Sequence, residues 1–166
     1  MIRPVTPHDA AAIVEIYNHY IRETVITFET VELTVAEMTE RITHISQSFP
    51  FLISEEEGRI TGYCYLHPWK SKAAYRHTAE TTIYLHPEHK RHGTGTALMN
   101  TLIEAARAAQ FHVLIACITA SETASIRFHQ SLGFTPVSHF HEVGQKFDHW
   151  LDVVDYELPL SNLHST

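Results

Sequence analysis

Residues 80–99 read Glu-Thr-Thr-Ile-Tyr-Leu-His-Pro-Glu-His-Lys-Arg-His-Gly-Thr-Gly-Thr-Ala-Leu-Met. The first part, 81–85, is short, β-branched and aromatic, and His86-Pro87 closes it, which predicts a strand with a hard stop. The second part carries Lys90 and Arg91, then Gly93 and Gly95 alternating with Thr94 and Thr96. From 97 to 109 the composition and period are helical. A strand, a basic glycine-containing loop and a helix N-terminus together make an anion cradle. Backbone N–H groups point outward, the positive end of the helix dipole lies behind them, and glycine permits close approach. Leu98 stands where a G-x-G-x-x-G fingerprint needs its third glycine, and no Gly-Lys-Ser/Thr ending follows. A dinucleotide fingerprint and a Walker loop are both excluded on that spacing.

Outward from this stretch, the pattern is that of an α/β chain with a mixed central sheet and helices on both faces. Residues 2–5 form a short opening strand. Thr6 with Asp9, and Pro7 between them, mark a helix start, after which Ala10, Ile13, Tyr17 and Tyr20 recur at helical spacing. Residues 23–32 have no helical period and read as a connection. Thr34 with Glu37 opens a second helix, with Val35, Met38, Ile42 and Ile45 on one face, and Phe49-Pro50 ends it. Strands 51–54 and 60–67 form an antiparallel hairpin across 55–58, and a basic, aromatic loop, 68–75, leads to strand 78–85. Strand 113–117, helix 121–131 stopped by Gly133, and closing strands 134–140 and 150–156 complete the fold. Strand, helix and strand in succession imply a right-handed crossover between parallel neighbours. One domain, 1–160, is expected, with a frayed polar tail at 161–166.

The formal net charge is −7, which argues against nucleic acid as the main partner. The basic residues gather at 70–76 and at Lys90-Arg91, a local patch that suits a small anion. Cys64 and Cys117 lie in apolar strand-like runs, so two buried thiols and no disulfide framework are expected. No apolar leader or membrane-length run is present, so a cytoplasmic protein without a membrane partner is expected.

Lys90-Arg91-His92-Gly93-Thr94-Gly95 resembles the Q/R-x-x-G-x-G/A loop of the GNAT acyltransferase superfamily, which binds the pyrophosphate of coenzyme A. Lys90 stands at the Q/R position, keeping the charge but losing the forked donor of arginine. Residues 75–95, Ser125-Ile-Arg-Phe-His129 through Gly133-Phe134, and 146–152 with Trp150 are similar to the phosphinothricin and methionine sulfoximine acetyltransferase branch. The resemblance runs from Ile2 to Leu158 in order and spacing.

That resemblance implies acetyl-CoA as cosubstrate, a small-molecule amine as acceptor, and direct transfer in a ternary complex. An amine with a pKa near 10 is only about 0.1% neutral at pH 7, so a base must take a proton before attack. Glu80 precedes 81–85 as a glutamate does in the family, and is the leading candidate; His129 is the second. Ile83 and Leu85 would pair their main chain with the pantetheine arm. Lys90, Arg91, His92, Gly93, Thr94, Gly95 and Thr96 would surround the pyrophosphate. Ser125 would help hold the cofactor, and Glu122 replaces the asparagine usual at its position, putting a negative charge where an amide would make contact. Phe28 matches a substrate-side aromatic, and Arg76 an arginine that meets a substrate carboxylate. The branch also implies a homodimer, with Trp150 and the C-terminal strands at its interface. Acceptors of other kinds (a polyamine, a protein N-terminus) and a coenzyme A-binding module without catalysis stay open. His139 and His141 share one face of a strand, as two ligands could, but no Cys/His set has zinc-site spacing and no functional metal is expected.

Overall fold

Two capping arrangements written in the sequence start the first two helices. The carboxylate of Asp9 accepts the N–H of Thr6 at 2.7 Å and its hydroxyl at 3.1 Å, while Arg3 forks onto the same carboxylate at 2.9 Å through two nitrogens. The chain turns through a 3-10 segment, Pro7–Asp9, into α1, Ala10–Glu23. Thr34 and Glu37 cap α2, Val35–Ser46, reciprocally: Thr34 N–H donates to the Glu37 carboxylate at 2.7 Å and Glu37 N–H to Thr34 Oγ1 at 3.2 Å.

In a computed structural model that describes residues 1–90 and 92–160, seven strands form one sheet: β1 Ile2–Pro4, β2 Phe51–Glu56, β3 Arg59–Pro68, β4 Thr78–Leu85, β5 Val113–Thr119, β6 Thr135–Lys146 and β7 His149–Pro159. The order is β1-β2-β3-β4-β5-β7-β6. The β4–β5 pair is parallel and every other pair antiparallel, so the sheet is mixed as expected. The expected tail, 161–166, and Arg91 lie outside the described residues.

Alternation along the strands divides the core between two layers. Leu52, Cys64 and Leu66 face α3, Thr94–Ala108, packing with Leu98, Met99, Leu102 and Ala106. Phe51, Ile53 and Tyr63 point the other way, onto Ile13, Ile16, Tyr17 and Tyr20 of α1 and Met38 and Ile42 of α2. Val35 departs from its expected core position and is about half exposed, because it opens the first turn of α2 before the helix reaches the sheet.

Two tight turns show where sequence reading succeeded and failed. Glu57 and Gly58, both at positive φ, close the β2–β3 hairpin across the expected turn. Phe147 and Asp148 do the same between β6 and β7, where the expected strands ended at 140 and resumed only at 150. The missed part of β6 contains a bulge between Phe140 and Gly144, with Glu142 at φ 52°, and the bulge breaks the period-2 pattern. The helix of the phosphate loop begins at Thr94, three residues before the expected start. The last helix, α4, Thr123–Ser131, begins after a turn at Ser121 and Glu122. Among the described residues no helix is long and apolar enough to cross a membrane.

Candidate active site

The sheet opens at its parallel pair. The ladder between β4 and β5 pairs Thr78 with Val113, Ala79 with Leu114 and Glu80 with Ile115. Past Glu80 the two strands continue to Leu85 and Thr119 without further pairing among the described residues. An opened strand edge leaves backbone donors and acceptors that need a partner, and a ligand can be that partner. The opening is a cleft of about 340 Å³. Residues 80–84 form one wall and 116–119 the other; Ile26, Thr27 and Phe28 close one side, and Glu122, Ser125 and His129 another.

Glu80 sits where the strands part. Burial raises its pKa above the ordinary glutamate value; His67, with Nε2 3.6 Å from Glu80 Oε1, and the Cys117 thiol both oppose that rise. A carboxylate so placed is a stronger base than one in water, while the imidazole keeps it ionisable.

Cys117 corrects an expectation. It was expected to be a buried thiol like Cys64, but it is exposed in the cleft and donates to Asp155 Oδ1 at 3.0 Å. Strand β5 is uncovered on that side because its pairing with β4 has ended. Partial desolvation within the cleft and the carboxylates of Asp155 and Glu80 push the thiol pKa up, which favours the protonated thiol over the thiolate nucleophile.

His129 is 4% exposed, and its Nδ1 bonds the Ser125 carbonyl at 2.8 Å, one helical turn back. Burial lowers its pKa, so the ring is neutral at physiological pH. With Nδ1 donating to a carbonyl, Nε2 is the acceptor nitrogen. Ser125 and Glu122 line the cleft from the first turn and N-cap of the same helix.

The expected anion cradle is present at the start of α3. Gly93, the N-cap, has φ 79°, a conformation that favours glycine, and no side chain caps the helix behind it. The first N–H groups of a helix have no partner within it, so those of Thr94, Gly95 and Thr96 are the ones an anion would meet. Gly95 is small for another reason: a Cβ there would lie 3.2 Å from Leu85 Cδ1 and 3.4 Å from Phe128 Cε2. Ile83 lines the cleft on the open part of β4; the Leu85 carbonyl already accepts the Tyr20 hydroxyl at 2.6 Å. Lys90 holds its ammonium 5.1 Å from the Tyr20 ring centroid, and His92 is exposed beside it.

Of the two expected acceptor residues, Phe28 lines the cleft and Arg76 does not. Arg76 is exposed just after the 3-10 turn Ala73–Tyr75. Residues that sequence reading passed over hold Phe28 in place. Tyr17 OH and Thr27 Oγ1 are 2.9 Å apart, Thr119 Oγ1 donates to the Val25 carbonyl at 2.7 Å, and the buried Lys146 Nζ donates to the Thr27 carbonyl at 2.8 Å. The side chains that shape the acceptor wall thus come from α1, β5 and the far end of β6. Of these, Tyr17 carried a sequence signal as a core position of the first helix and Lys146 as part of the 146–152 stretch, but neither as part of the acceptor wall.

A profile of the acetyltransferase (GNAT) domain family matches residues 2–154. The chain belongs to the GNAT acetyltransferase family. It is similar to the L-methionine sulfoximine/L-methionine sulfone acetyltransferase of Salmonella typhimurium, 39% identical over 96% of this chain and 94% of that protein. It is similar also to the phosphinothricin N-acetyltransferase of Streptomyces viridochromogenes, 35% identical over 95% and 88%. An acetyltransferase from Salmonella typhimurium, solved with acetyl-CoA, superposes with a TM-score of 0.95 at 36% identity, covering all of this chain and 96% of the other. GNAT acetyltransferases use acetyl-CoA as cosubstrate, and the residues here fit that group. The uncapped helix end suits a pyrophosphate, and the open edge of β4 suits an amide-bearing arm.

Proposed function

We propose that this GNAT acetyltransferase moves the acetyl group of acetyl-CoA to the α-amine of a small amino-acid-like molecule of the phosphinothricin, methionine sulfoximine or methionine sulfone type. The observation that carries the reading is Glu80, a carboxylate of raised pKa at the fork of β4 and β5 and in one cleft with His129 and Phe28. Transfer is direct, in a ternary complex. Glu80, itself or through a water, takes a proton from the ammonium; the freed nitrogen attacks the thioester carbon; the tetrahedral intermediate breaks its C–S bond, and the surplus proton on nitrogen passes to the departing sulfur, giving the amide and coenzyme A thiol. His129, neutral and accepting at Nε2, is the second candidate for the base.

The cosubstrate lies along the opening, its pantetheine arm against the main chain at Ile83 and Leu85 and its pyrophosphate on 90–96. Arg91 would add a forked donor there. Ser125 and Glu122 flank the arm. Phe28 packs on the acceptor, and Arg76, which lies outside the cleft, takes no part in this reading. The reaction takes place in the cytoplasm, which supplies acetyl-CoA. The working unit is a homodimer: Val137, Phe140, Val143, Phe147 and Trp150 leave an exposed apolar surface on the β6–β7 hairpin. Light scattering on wild type and Trp150→Arg tests this; a monomeric wild type removes the dimer.

Thiol release from acetyl-CoA, measured against phosphinothricin, methionine sulfoximine, methionine sulfone, spermidine and a peptide, tests the substrate class. Turnover confined to the amino-acid analogues is expected. Turnover of spermidine or the peptide alone contradicts the reading.

A further inference from the structure

Away from the cleft, the β6–β7 hairpin gathers two imidazoles and a carboxylate. The ligand atoms of His139, His141 and Asp152 all lie within 4.8 Å of one another. His139 Nε2 is 2.8 Å from Asp152 Oδ2, and the two imidazole rings are parallel to within 8° with centroids 4.4 Å apart. The other oxygen, Asp152 Oδ1, accepts the N–H of Glu142 at 2.8 Å, where the bulge puts Glu142 at φ 52°.

We propose that these three side chains are a binding site for one divalent late first-row metal ion (Zn²⁺, Cu²⁺ or Ni²⁺). The donor set is the argument: two imidazole nitrogens with one carboxylate match the preferences of those ions over Mg²⁺ or Ca²⁺, which take oxygen. The bulge serves as the supporting shell. By tying down Oδ1 it orients the carboxylate and leaves Oδ2 facing the rings. The rings are stacked rather than aimed at one point, so binding requires one imidazole to turn out of the stack, which both rings, being exposed, are free to do. The ion takes the place of the hydrogen between His139 and Asp152, with water completing its coordination.

The site braces β6 to β7 across the bulge, in the hairpin whose Gly144 and Lys146 hold Phe28 and Thr27. Its role is therefore structural, and transfer of the acetyl group does not pass through it.

The test is calorimetric titration of Zn²⁺ and visible absorption on adding Co²⁺, with wild type, Asp152→Asn and His139→Ala/His141→Ala. Wild type is expected to bind one ion per chain, roughly tenfold or more tighter than Asp152→Asn. The double variant should lose that class of binding, and Zn²⁺ should raise the Tm of wild type alone. Unchanged acetyl-CoA binding by the variants verifies their fold. Zn²⁺ binding of equal affinity and stoichiometry in wild type and the double variant overturns the proposal, as does a wild type with no Co²⁺ spectrum.

Discussion

His67 and Glu80 face each other across β3 and β4 as paired residues, with the imidazole Nε2 3.6 Å from the carboxylate. The pair sets the basicity of the proposed base: burial pushes the carboxyl pKa up, and the imidazole pulls against it. Replacing His67 with leucine removes the counterweight. The acidic limb of the kcat/KM profile is expected above the ordinary glutamate value in wild type and at still higher pH in His67→Leu. An unmoved limb would dissociate His67 from the base.

Glu80 also costs stability. Its folded pKa is raised above the unfolded value, so its contribution is fully favourable below the unfolded pKa and is lost as pH rises through the folded one. Glu80→Gln is therefore expected to have a higher Tm than wild type at pH 7, with the gap closing toward pH 4. Thermal melts across that range check it.

His129 has the opposite sign. Its folded pKa is lowered, so the stability it carries is complete above the unfolded value and is lost as pH falls through the folded one. Wild type should lose stability below about pH 6.5 more steeply than His129→Asn, as read from denaturant melts at several pH values.

At the pyrophosphate end, Gly93→Ala places a side chain at φ 79°, with no steric neighbour within 4 Å among the described residues. The cost is conformational, roughly 1 kcal/mol, and the loop would shift to relieve it. The KM for acetyl-CoA is expected to rise several-fold with little change in the acceptor KM.

On the acceptor wall the asymmetry reverses. A Cβ at Gly144 would stand 2.2 Å from Phe28 Cε2, so Gly144→Ala must displace the ring. Steady-state kinetics should show a raised acceptor KM and an unaltered acetyl-CoA KM, with a stability loss of about 1–3 kcal/mol.

What could be read from the sequence follows from what is local. The capping pairs Thr6/Asp9 and Thr34/Glu37, the β2–β3 turn and the Gly93–Gly95 loop each act within a few residues, and each was legible. The second half of β6 was not, because the bulge at Glu142 interrupts the alternation that marks a strand. The cleft was only half legible. Glu80, Ser125 and His129 could be named from their patterns, but the parting of β4 from β5 that exposes Cys117 is a property of the sheet. Long-range contacts were invisible for the same reason: the Lys146 bond to Thr27 spans 119 residues. Asp152 could not be joined to His139 and His141 without the register of the bulged hairpin.

The central claim is that Glu80 is the base of acetyl transfer, and the pH dependence of turnover in wild type and Glu80→Gln tests it most directly. Glutamine keeps the shape and removes the proton acceptor. A fall in kcat of about a hundredfold or more, with the acidic limb gone and acetyl-CoA affinity retained, is the predicted result. A variant that keeps both its rate and its acidic limb would contradict the account and move the role to His129.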